Sequence, residues 1–135
     1  MTDPALTTQM ANFERVVLQR DVDLASDVLH LDYALVLVHP VPAVMPRNRW
    51  LELLPDYRVG AYDVQAQHLD VLGECATLIQ RVGMTATVVG EDRSGIFVIS
   101  DVWLRVADRW RIWRRHSTPL AAGPMPGVGE PRTLS

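Results

Sequence analysis

His39, His68 and Asp101 are the side chains of this sequence best suited to acid–base chemistry. His39 stands before Pro40 at the end of the apolar run Ala34–Val38, and imidazole titrates near neutral pH, so it suits a general base. Its plainer reading is a strand-end histidine bonded to a backbone carbonyl. Asp101 sits inside the apolar run from Phe97 to Val106, where a buried carboxyl must find a partner or take up a proton. It is either a neutral acid that donates to a developing oxyanion or half of an ion pair with an arginine such as Arg81 or Arg114. His68 is the second candidate base and shares one strand face with Asp70. Side chains two apart on a strand lie about 6.5–7 Å apart, and a half-exposed strand histidine is the simpler reading.

Composition removes several alternatives. All thirteen basic residues are arginine, which excludes a lysine Schiff base, lysine-anchored pyridoxal phosphate and a Walker A loop. Cys75 is the one cysteine, so neither an intrachain disulfide nor a cysteine-rich zinc site can form. Four scattered histidines give no close-spaced ligand pair, and neither metal nor cofactor is expected. A net charge of −3 argues against wholesale nucleic-acid binding. No apolar run approaches the roughly 20 residues that span a bilayer, and MTDPALTTQ lacks the features of a signal peptide. The expectation is a cytoplasmic protein with no membrane contact.

The elements that must position these residues follow from periodicity. Asp3-Pro4 is a helix start, and Leu6, Met10, Phe13 and Val17 recur at helical spacing, predicting a helix from Pro4 to about Arg20. Asp21 caps a second helix to about His30. A strand over Ala34–Val38 follows, then a proline-punctuated loop, Val41–Pro46, and a third helix over Arg47–Leu54 closed by Pro55. The period then changes to two. Strands are predicted over Tyr62–Leu72, Cys75–Val89, with a bulge or bend at Gly83, and Gly95–Val106, and the last runs to Thr118 after a tight turn at Ala107-Asp108. Val64, Ala66, His68, Asp70 and Leu72 are expected on one side of their strand. Helices first and a meander of four antiparallel strands later indicate an α+β fold. Residues 1–118 are expected to form one domain, and 119–135, rich in proline and glycine, a tail that is mobile or wrapped on the surface.

Both parities of Gly95–Val106 are substantially apolar: Phe97, Ile99 and Trp103 on one, Val98, Val102, Leu104 and Val106 on the other. A sheet with one wet face should alternate apolar and polar residues, so both faces should be covered. The helices can cover one. A two-fold homodimer through the sheet is the simplest cover for the other, with the tail as the alternative.

The chain resembles the NTF2-like superfamily and, within it, the SnoaL-like and DUF4440 domains. Arg20–Leu24 before Asp32-Tyr33, His39-Pro40, and SDVWLRVADRWRIWRRHST carry the resemblance, which spans about Ala5 to Thr118. It implies an α+β cone, N-terminal helices packed on a curved, mostly antiparallel sheet, with a pocket at the open end and dimers through the outer sheet face. Members with known chemistry include ketosteroid isomerases, polyketide cyclases, dehydratases, dehydrochlorinases and epoxide hydrolases; many others are non-catalytic. By motif, His39 falls where the isomerases carry their catalytic-base aspartate and Asp101 where they carry the protonated aspartate of the oxyanion hole. Phe13 falls where they carry the oxyanion tyrosine, and it has no hydroxyl. The expected pocket lining is Phe13, Tyr33, Trp50, Trp103, Arg114 and His116. Two functions follow: cofactor-free acid–base catalysis (isomerase, cyclase or dehydratase) on a hydrophobic carbonyl-bearing small molecule, or a non-catalytic ligand-binding or dimerisation module.

Overall fold

The computed structural model describes residues 3–38 and 41–120. His39, Pro40 and residues 121–135 lie outside the described residues, and so does the expected tail apart from Pro119 and Leu120. Helix α1 spans Pro4–Gln19 and starts as its sequence dictates. The Asp3 carboxylate accepts from the backbone N–H groups of Ala5 and Leu6, at 3.0 and 3.4 Å, and Pro4 occupies the first turn. It ends where Arg20 turns left-handed at φ 54°. Leu6, Phe13, Val16 and Val17 form its buried stripe. The buried Gln9 donates to the Trp110 carbonyl at 2.8 Å, which satisfies both groups and pins the helix to the last strand.

Helix α2, Val22–Val28, is capped by Asp21 through Leu24 N–H at 3.0 Å. It stops two residues before the expected His30 because the chain passes directly into β1, Leu29–Leu37. Leu29 and Tyr33 are buried in the core, and Leu29 is in register with Ile112 of the last strand; sheet pairing overrides the helical pattern there. The expected loop over Val41–Pro46 contains a strand, β2, Ala43–Pro46, antiparallel to β1 at the sheet edge. A proline is tolerated there because an edge strand has ladder groups that need no partner. Helix α3, Arg47–Leu53, continues into a short 3₁₀ turn over Leu54–Asp56.

The four long strands are β3 (Tyr57–Leu72), β4 (Cys75–Val88), β6 (Gly95–Val106) and β7 (Arg109–Pro119), with the two-residue β5 (Glu91–Asp92) paired to β4. Strand β3 begins five residues earlier than expected. The sheet order is β2-β1-β7-β6-β4-β3, antiparallel except for the parallel β1–β7 pair. The Ala107-Asp108 turn is tight as expected, both residues having positive φ (52° and 61°), the backbone that matches the twist of a two-residue hairpin.

Gly83 itself runs in unbroken register with Asp63 and Ile96; the irregularities lie on β3, between Val59 and Ala61 and between Val64 and Ala66. A Cβ at Gly83 would stand 2.9 Å from the Gln65 amide nitrogen, so the glycine makes room for the bulged residue. The second irregularity also splits the expected face of β3. Val64 is in register with the buried Val82, whereas Ala66, opposite Arg81, begins the run that carries His68 and Asp70 outward.

These bulges and a third on β7 bend the strands, and the curled mixed sheet wraps the N-terminal helices as a half-barrel. An aromatic group of Phe13, Tyr33, Trp50 and Trp103, with ring centroids 5.4–6.2 Å apart, fills the enclosed core. A second buried cluster, Val82, Met84, Ala86, Phe97 and Ile99, lines the sheet away from it. No described helix is long and apolar enough to cross a membrane.

Candidate ligand cavity and its buried ion pair

The site is positioned by one extra residue. On β7, Trp110 and Ile112 face the core opposite Arg105 and Trp103. Regular alternation would then send Arg114 and His116 inward. The register shifts instead: Ile112 pairs with Trp103, but Arg114, not Trp113, pairs with Val102. Trp113 is bulged, and every later side chain changes face. Arg115 thereby arrives beside Asp101, and Ser117 beside Ile99, both on the concave face.

Asp101 is 1% exposed and Arg115 11% exposed at the side chain. Arg115 Nε donates to Oδ1 at 2.8 Å and a terminal nitrogen to Oδ2 at 2.9 Å, a bidentate charge-assisted pair. The guanidinium carbon also stands 4.6 Å from the centre of the Phe13 ring. Burial works against the charge on Arg115, but the Asp101 carboxylate, through its charge and its hydrogen bonds, is the chief group that offsets it, so the pKa lies above the ordinary arginine value. Burial likewise pushes the phenols of Tyr33 and Tyr57 upward, partly opposed by the Arg115 charge, so both are neutral hydroxyls at physiological pH. The Tyr33 hydroxyl and the Trp103 indole nitrogen are buried with no hydrogen-bond partner among the described residues.

Arg115 stands between two cavities. The larger, about 370 Å³, lies between α3, β1, β2 and the sheet, a size within the range of small-molecule sites. Its floor is Trp50, Leu54, Ile99 and Arg115; exposed residues Val41, Val89, Glu91 and Arg93 mark its mouth. The walls include Leu35, Leu37, Met45, Tyr57 and Met84. The smaller, about 200 Å³, lies under α1 beside Phe13, Glu14, Gln80, Asp101 and Trp103. An arginine side chain carries five N–H donors. Asp101 takes two of those of Arg115, and among the described residues none takes the other three. The larger cavity is therefore an apolar chamber with a polar handle at its inner end. It can hold a hydrophobic molecule and donate to one acceptor on it.

The expected site residues separate. Trp50 lines the larger cavity, and Phe13, Trp103 and Asp101 line the smaller. Tyr33 is a core residue packed against Phe13 and Trp50. Both oxygens of Asp101 accept guanidinium bonds, the geometry of the ion-pair alternative, and its partner is Arg115 in place of Arg81 or Arg114. Arg114 faces outward. Its guanidinium lies 3.9 Å from the Trp113 ring, donates to the Trp113 and Asp32 carbonyls, and lines a shallow outer groove. His116 is exposed and pairs across the outer face with Ser100. His68 bonds Asp70 at 3.1 Å, closer than the strand spacing suggested, but both side chains are about 70% exposed on the convex face. The expectation for His39 lies outside the described residues. Among the described residues, no three histidine, cysteine or acidic side chains come together as metal ligands would.

Arg115 is the residue that alternation misses. The signal was a break in the period: Ile112-Trp113 and Arg114-Arg115 are neighbours of like character where a strand should alternate. A residue bulged there exchanges the two faces, so that Arg114 turns outward and Arg115 inward.

No protein-family model and no curated protein matches the chain. Solved structures do. An NTF2-like protein from Cytophaga hutchinsonii superposes with a TM-score of 0.80 at 10% identity, over 89% of this chain and 100% of that one. A candidate Ca/calmodulin-dependent kinase II association domain from Exiguobacterium sibiricum gives 0.75 at 13% identity, over 93% and 98%. A candidate dehydratase of the NTF2-like family from Streptomyces avermitilis gives 0.67 at 16% identity, over 88% and 96%. Identities this low carry architecture and not activity. Helices enclosed by a curled mixed sheet, with a chamber at its open side, give this chain the NTF2-like fold.

Proposed function

We propose that the chain binds a hydrophobic, carbonyl-bearing small molecule in the larger cavity, with Arg115 donating to the carbonyl oxygen. One observation carries this: a guanidinium largely shielded from water, with three N–H donors unclaimed among the described residues, lining a mostly apolar chamber of about 370 Å³. Of the candidate bases among the described residues, His68 is on the convex face and away from the chamber, and binding needs none. The test is calorimetric titration with 2-nonanone. The wild-type protein should show saturable binding, and Leu37→Trp, which fills the chamber from a half-buried wall position, should abolish it while the thermal transition survives. Unchanged binding in Leu37→Trp would place the ligand elsewhere.

A second reading concerns assembly. The convex face carries Ile79 at 47% and Val98 at 39% exposure, flanked by half-buried Val102 and Leu104, an apolar surface that water does not favour. We infer a homodimer through this face, with a two-fold axis placing like patches together. Sedimentation should give twice the chain mass of 15.1 kDa, and Val98→Arg should halve it. A monomer in the unmodified protein rejects this reading.

A further inference from the structure

We propose that Asp101 makes the chamber selective for an uncharged acceptor, and that it sets this selectivity through Arg115 without touching the ligand. The inference deepens the ligand-binding reading and rests on it.

Charge decides the matter. Among the described residues, the charged side chains lining the chamber are Glu91, Arg93 and Arg115. Glu91 and Arg93 are exposed at the mouth, opposite in sign and screened by water. Arg115 alone is at the floor, and a lone buried guanidinium would favour a carboxylate ligand, whose two oxygens match its fork. The fork is already occupied. Arg115 spends Nε and one terminal N–H on Asp101, which is 1% exposed and lines the smaller cavity behind it. The floor is thus neutral as a unit, and three guanidinium N–H donors stay unclaimed among the described residues.

A neutral carbonyl accepts from those donors at no electrostatic cost. An ionised carboxylate in the same place gives up its water and meets the Asp101 charge across a single guanidinium, with little solvent between them. The Asp101 charge cancels much of the attraction to Arg115, so too little remains to offset the hydration that the acid loses. Asp101 is in this sense a positioning residue. It holds the guanidinium by two bonds and cancels its charge.

The experiment compares 2-nonanone with octanoate, which match in length and shape and differ in charge, by calorimetric titration at pH 7 into the wild-type protein and into Asp101→Asn. Asparagine keeps the shape and one acceptor for Arg115 but leaves the guanidinium charge uncompensated. The wild-type protein should bind the ketone at least about tenfold more tightly than the acid. In Asp101→Asn the order should reverse. A merely structural role for Asp101 would weaken both ligands together and leave their ratio unchanged. Octanoate binding the wild-type protein as tightly as the ketone overturns the inference while leaving the ligand chamber intact, and so does a ratio unmoved by Asp101→Asn. If neither probe binds the wild-type protein, the ligand-binding reading itself fails. Should Asp101→Asn not fold, the wild-type ratio of the two ligands still decides.

Discussion

Two carboxylates face two cationic or basic partners on opposite sides of the same sheet. Asp101 and Arg115 lie on the concave face, nearly sealed from water, with two bonds of 2.8 and 2.9 Å. His68 and Asp70 lie on the convex face, 3.1 Å apart and about 70% exposed. The distances are similar and the physical consequences are not. Water screens the outer pair and competes for its bonds, so it adds little. The inner pair has no such relief: each charge depends on the other because the desolvation of both has already been incurred. The contrast teaches that a site is identified by what surrounds a pair more than by the pair. His68 and Asp70 look more like a catalytic couple in sequence, yet it is Asp101 and Arg115 that line cavities.

Breaking the inner pair should have the largest effect. Arg115→Met leaves Asp101 buried and unpaired, and urea denaturation should show a loss of about 3–5 kcal/mol. The double variant Asp101→Leu/Arg115→Met should recover at least half of that, because the burden lies in the orphaned charge. If the single and double variants are equally unstable, the pair matters for packing and not for charge.

Asp3 is the intermediate case. Its carboxylate accepts from the Trp110 indole N–H at 3.0 Å and from the N–H groups of Ala5 and Leu6. The indole bond, opposed by desolvation and assisted by the two backbone bonds, holds its pKa below the ordinary carboxylate value of 3.8. A depressed acid stabilises the fold fully above its unfolded pKa and loses that contribution as pH falls through the folded one. The melting temperature of the wild-type protein should therefore fall below about pH 4 more steeply than that of Asp3→Ala. Equal slopes would show that the Trp110 contact has no weight in solution.

The outer pair should matter least. His68→Ala should change stability by no more than a few tenths of a kcal/mol, measured by the same denaturation and at two salt concentrations. A larger loss would mean that the convex face is covered, as it would be in a dimer, and would sharpen the assembly reading.

The sequence made the architecture legible because its strongest signals are local. The Asp3-Pro4 start, the Asp21 cap, the Leu6–Val17 stripe and the Ala107-Asp108 turn each act within a few residues. The site depends on register, which is not local. Whether Arg114 or Arg115 faces Asp101 is decided by one bulge at Trp113, and a slip of one residue exchanges the two faces. The same applies to β3, where the irregularity between Val64 and Ala66 sends His68 outward. Strand β2 was hidden for another reason: Pro42 before it and Pro46 at its end read as a loop, and only pairing with β1 makes Ala43–Pro46 an edge strand. Phe13 was legible as a departure from the isomerase pattern, and its place under the Arg115 guanidinium gives the phenyl ring a role of its own.

The most direct test of the central claim uses the methionine methyl groups. Met45 and Met84 line the larger cavity, and Met10 lines the smaller one on the other side of Arg115. In a ¹³C-methyl-methionine spectrum titrated with 2-nonanone, Met45 and Met84 should shift together and saturate while Met10 stays in place. Saturable shifts at Met10 alone, or no saturable shift at Met45 and Met84, would contradict the account.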